Sequence, residues 1–154
     1  MIGYVCKYTP VEVFEAMGVE IRRIQPEVTN FNQADTLMHP NICSFTKSVL
    51  EDVLAGDYEG VVLTTCCDSI RRLYDVLKQQ CPDKFLYLLD VPRKVNDFST
   101  EMYRKNILDM VHAYEAFSGK TFDETVLKQL LERREAGQNL RTAPKNKASV
   151  HIGL

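Results

Sequence analysis

Short apolar runs alternate with amphipathic segments along this chain, and that alternation restricts its fold more than any other feature. IGYVC (2–6) reads as a buried strand, VEIRRI (19–24) alternates like a half-buried one, and GVVLTT (60–65) is the most strand-like run. KFLYLLDVP (84–92) reads as a fourth strand, ended by proline. Between them lie helical patterns. Thr9 as N-cap, Pro10 and Glu12 make a capping box for a helix with Val11, Phe14 and Met17 on one face, stopped by Gly18. Residues 25–40, polar and without a clear period, read as a loop. Asn41 or Ser44 caps a helix running to about Leu54, before Gly56. Asp68 or Ser69 caps another that carries Ile70, Leu73, Tyr74 and Leu77 at amphipathic spacing.

Two longer helices are predicted over about 99–117 and 122–136, the second opened by a Thr121/Glu124 capping box. Gly119 and Gly137 lie just beyond them. Met102, Tyr103, Met110, Tyr114 and Phe117 read as core positions of the first. Strands alternating with helices specify an α/β fold: a Rossmann-like parallel sheet of about four strands with flanking helices, plus two C-terminal helices. Residues 1–137 read as one α/β domain. QNLRTAPKNK (138–147) reads as a polar linker, and ASVHIGL (148–154) as the first strand of a following domain, so the chain is expected to be the N-terminal part of a longer protein.

Composition narrows the function. The net charge is −2 and no basic patch occurs, which gives no reason to expect nucleic acid or an anionic membrane surface. No apolar run is long enough to span a membrane, and MIGYVCKYTP lacks the form of a secretory signal. Five cysteines, an odd number, then point to a reducing cytoplasmic setting and to free thiols.

Four of those thiols fall at one predicted edge. Cys6 ends the first strand, Cys66 and Cys67 end the third, and Cys43 lies in the first turn of a helix. Ligands bind at the carboxyl edge of open parallel sheets, and helix N-termini favour thiolates. Cys81, at the end of a helix, is set apart. Other readings stand beside a thiolate cluster. Cys6 and Cys43 can be packing residues, and a Cys66–Cys67 bridge would be strained. No CxxC occurs, so a zinc ribbon or ferredoxin-type loop is disfavoured. His39, His112 and His151 show no pattern placing a base beside a nucleophilic cysteine.

The segments GYVCKYTPVEVFEAMG (3–18), NICSFTKSVLE (41–51) and GVVLTTCCDSIRRLYDV (60–76) follow one another in order. They resemble the 2-hydroxyacyl-CoA dehydratase/benzoyl-CoA reductase component family, of the 2-hydroxyglutaryl-CoA dehydratase D-component type, over roughly residues 2–92. The resemblance implies flavodoxin-like domains whose edge cysteines hold an iron–sulfur cluster of the 4Fe–4S type. It also implies an ATP-dependent iron–sulfur activator protein and an acyl-CoA substrate that passes through a ketyl radical, in a homo- or heterodimer. On this resemblance Cys43 and Cys67 correspond to cluster ligands, and Cys6 matches a further family cysteine. The doubled Cys66–Cys67 departs from the usual single cysteine and looks like the double-cubane cluster branch, ATP-coupled reductases of small molecules. A cluster-free α/β interaction domain is the alternative outside redox chemistry.

Three charged positions have two readings each. Glu12 can serve as an acid/base near substrate, or simply complete the capping box. Arg71 and Arg72 can meet CoA phosphates or an activator's acidic surface, or remain solvated. Asp68 reads as an N-cap, with a supporting role beside Cys67 as the alternative.

Overall fold

The computed structural model describes residues 1–137; the linker and strand expected over 138–154 lie outside the described residues. The elements, in chain order, are β1 (Ile2–Tyr4), α1 (Val11–Ala16), β2 (Ile21–Arg23), α2 (Asn32–Leu37), α3 (Ser44–Ala55), β3 (Gly60–Thr64), α4 (Asp68–Gln80), β4 (Phe85–Leu89), α5 (Asp97–Ser118) and α6 (Glu124–Glu135). They group into two compact units. One comprises Met1–Thr9 and Arg22–Val91; among the described residues the other comprises Pro10–Ile21 and 92–137.

The first unit is built on a four-stranded sheet of order β2-β1-β3-β4. The β1–β3 and β3–β4 pairs are parallel, with Ile2 opposite Gly60 and Gly60 opposite Phe85. The central strand β3 is buried along its whole length, as an apolar run covered on both faces must be. Val61 and Leu63 join Val49, Leu50 and Val53 of α3 and Ile70, Leu73 and Leu77 of α4 in one apolar cluster. Val62 and Thr64, the alternate residues, face the other side of the sheet.

Gly60 starts β3 because nothing larger fits. A Cβ there would lie 2.6 Å from the Cβ of Phe85 and 3.0 Å from Cδ1 of Ile2, and would press on the Phe85 carbonyl. Gly60→Ala is expected to cost about 1–3 kcal/mol by overpacking, read as a lower denaturant midpoint.

The segment 25–40 is not all loop: Asn32–Leu37 is helical. Its start is capped from another element, because Glu51 of α3 accepts hydrogen bonds from the N–H groups of Gln33 (2.7 Å) and Ala34 (2.8 Å). Lys47 pairs with Asp35 at 2.7 Å, and Ser48 Oγ donates to the Val28 carbonyl at 2.8 Å. Glu51→Ala is expected to cost about 1–3 kcal/mol by stranding the buried Ala34 donor and the part-buried Gln33 donor, whereas Glu51→Gln keeps an acceptor and should recover part of it.

Tyr58 donates to Asp52 at 2.7 Å. Burial, then this hydrogen bond and the Asp52 charge, push its phenol up to about 12. The unfolded value is about 10, so this contribution is complete below about pH 10 and is lost as pH rises towards 12. Tyr58→Phe should flatten that alkaline loss of stability.

The second unit joins α1, α5 and α6. Phe14 meets Tyr114 edge to face, with centroids 5.3 Å apart at 71°. Arg134 of α6 reaches Glu12 at 2.6 Å and Glu15 at 2.5 Å on α1. Burial pushes the Glu15 carboxyl above its ordinary range; Arg134 pulls it down and Glu12 pushes it up.

The predicted caps fare unevenly. Pro10 occupies the N-cap position of α1 and no side chain caps it, so the Thr9/Glu12 box does not form; Arg134 holds the Glu12 carboxylate instead. At α6, Asp123 accepts from the Thr125 N–H in place of the expected Thr121/Glu124 box. A reciprocal box forms at α5 between Asn96 and Ser99. Gly119 ends α5 with φ 72°, as the sequence predicts. Met110 and Tyr114 are fully buried, but Met102 and Phe117 are more than two-fifths exposed and are not core.

Candidate functional site: thiols at the carboxyl edge of the sheet

Each of the four thiols sits where a strand ends or a helix begins. Cys6 lies just past β1, and Cys66 just past β3. Cys67 is the N-cap of α4 and Cys43 the N-cap of α3, both with extended backbone and neither capping through its side chain. The leading N–H groups of each helix and its dipole therefore favour negative charge at these sulfurs. Asp68, expected as the cap, is instead the first residue of α4, with its side chain almost wholly exposed and 4.0 Å from Arg71.

The thiols are chemically unequal. Cys43 Sγ lies 3.0 Å from Thr46 Oγ1. Partial desolvation raises the Cys43 pKa, but hydrogen bonds from Thr46, Ser69 and backbone N–H groups outweigh it and leave the thiol below its ordinary value. Cys66 moves the other way. Desolvation raises it, the neighbouring Thr64 hydroxyl lowers it, and the adjacent Cys6 and Cys67 raise it further.

Cys6 and Cys67 lie near enough to Cys66 to raise its pKa, and Ser69 lies near enough to Cys43 to help lower that of Cys43. All are free thiols; Cys43, Cys66 and Cys67 are exposed and Cys6 half-buried. Among the described residues no three His, Cys, Asp or Glu side chains converge tightly enough to hold a single metal ion. The donor set is nevertheless all sulfur, the chemistry that suits an iron–sulfur cluster rather than a hard cation. On donor chemistry, the residues fit such a group.

The other predicted residues have charge partners of their own. Arg71 and Arg72 line a polar groove with Asp68, Asp75 and Leu88. Arg72 pairs with Asp75 at 3.5 Å, so both guanidinium groups already have a carboxylate nearby. An acid/base role for Glu12 would require its ion pair with Arg134 to open. His39 accepts from the Asn41 N–H through Nδ1 at 3.2 Å. Sequence reasoning missed Thr46 as the partner of Cys43, and Ser69 and Thr64 as neighbours that bear on the Cys43 and Cys66 thiols. Only Thr46, one helical turn after Cys43, left a local signal.

An α/β protein with thiols gathered at the carboxyl edge of a parallel sheet is the class that these features define. The family model of the 2-hydroxyglutaryl-CoA dehydratase D-component matches residues 6–146, and the chain belongs to this family. It is 27% identical over 139 residues to the (R)-phenyllactyl-CoA dehydratase beta subunit of Clostridium sporogenes, covering 85% of this chain and 36% of that protein. It is 25% identical over 134 residues to one of the subunits of benzoyl-CoA reductase from Thauera aromatica, covering 83% of this chain and 35% of that protein. The chain thus spans little more than a third of the length of these curated relatives. Among the described residues no helix is long and apolar enough to cross a membrane.

Proposed function

We propose that the protein is the iron–sulfur component of a 2-hydroxyacyl-CoA dehydratase-like enzyme, with Cys43 and Cys67 as principal ligands and Cys66 and Cys6 beside them. The observation that carries this reading is the neighbourhood of four free thiols at one sheet edge, two of them at helix N-termini. A 4Fe–4S cluster held by these sulfurs would lend the thioester one low-potential electron and recover it once hydroxide and a proton have left, so that the net loss of water is redox-neutral. The chain's own part is to hold and poise the sulfurs. Thr46 and Ser69 favour the Cys43 thiolate, and α3 and α4 direct their N-terminal N–H groups at the site. Arg71 and Arg72, exposed on α4, are assigned to CoA phosphates or to the acidic surface of an ATP-dependent activator. The complex is a homo- or heterodimer, in keeping with relatives that are both named as subunits.

One observation favours a second reading, an ATP-coupled double-cubane reductase: Cys66 and Cys67 are adjacent and both exposed, and Cys66 also meets Cys6. An anaerobic assay of the full-length protein with an activator, ATP and a series of 2-hydroxyacyl-CoA thioesters separates the two. ATP-dependent formation of enoyl-CoA is expected. Absence of dehydration, with ATP-dependent reduction of small molecules instead, would contradict the first reading and support the second.

A further inference from the structure

Among the described residues, two buried side-chain polar atoms lack a hydrogen-bond partner: the hydroxyls of Thr9 and Thr64. Thr64 is wholly buried and Thr9 is 4% exposed. Their position is not scattered. Thr64 is the last residue of β3, next but one to Cys66, and Thr9 follows Cys6, whose carbonyl accepts its N–H at 3.0 Å. Both orphaned hydroxyls therefore lie at the thiol edge.

A buried hydroxyl without a partner is unfavourable, and valine matches threonine in shape and in strand preference. Packing alone gives no reason for a hydroxyl at Thr64. The Cys66 sulfur, two residues beyond Thr64 past the end of the same strand, is the nearest sulfur along the chain.

We propose that Thr64 is a positioning and tuning residue of the sulfur site, its hydroxyl held in reserve as a hydrogen-bond donor to Cys66 sulfur when a cluster is bound. This rests on the reading of the thiols as an iron–sulfur site. Donors to ligand sulfur stabilise the more negative, reduced state of a cluster and so raise its potential. Thr64 would then set how easily the electron is accepted, with Thr9 offering a second donor at the same edge.

The test uses full-length protein prepared and reconstituted anaerobically, as wild type, Thr64→Val and Thr64→Ser. Two measurements are made: the melting midpoint without metal, and the reduction potential with the cluster. Thr64→Val should melt at or above the wild-type midpoint and should shift the potential to more negative values, with Thr64→Ser returning it towards wild type. A cluster-loaded Thr64→Val with unchanged potential would overturn the proposal alone. A lowered midpoint in metal-free Thr64→Val would also overturn it, by showing that the hydroxyl serves the fold. Failure of the wild type to take up iron would overturn the iron–sulfur reading and this proposal with it.

Discussion

Cys67→Ser, in full-length protein prepared anaerobically, is expected to lose iron by about 10-fold or more while its fold survives. Changes to residues that merely orient metal ligands already cost about 10–100-fold, and removing a ligand should cost no less. The substitution is informative because of where Cys67 sits. It is the N-cap of α4, and its thiol makes no capping hydrogen bond. Serine is a preferred N-cap, so the metal-free variant should melt at or above the wild-type temperature. Iron loss without loss of stability would separate ligation from folding. The same reasoning holds for Cys43→Ser, since Cys43 caps α3 in the same uncapped fashion. Retention of full iron content by both variants would remove these two residues from the ligand set.

Leu73→Ala is expected to cost about 2–5 kcal/mol and to lower the melting temperature by roughly 4–20 °C. Leu73 is fully buried between α4 and the strands, in the cluster that includes Val61, Leu63 and Leu77. The cavity left by truncation would loosen α4, whose first turn carries Ser69 and whose N-cap is Cys67. Thermal unfolding followed by circular dichroism measures the effect. A loss below about 1 kcal/mol would mean that α4 is held to the sheet by contacts other than this one.

The sheet was legible because side-chain pattern is local. GVVLTT reads as the most strand-like run, and β3 is an interior, fully buried strand of the sheet. The helix starts were less legible, since capping is settled by whichever oxygen is nearest in space. Glu51 caps α2 from a different helix, Asp123 takes the place expected for Thr121, and Arg134 claims Glu12 across the second unit. The thiol edge could be anticipated from strand ends and helix starts. The inequality of its thiols could not, because residue spacing does not fix which way the hydroxyls near Cys43 point or how far Cys66 is desolvated.

Counting iron and acid-labile sulfide per chain in full-length protein purified without oxygen tests the central claim most directly. The account predicts about four irons and four sulfides per site, with an electron paramagnetic resonance signal on reduction. Intact, folded protein that carries neither iron nor sulfide would contradict it.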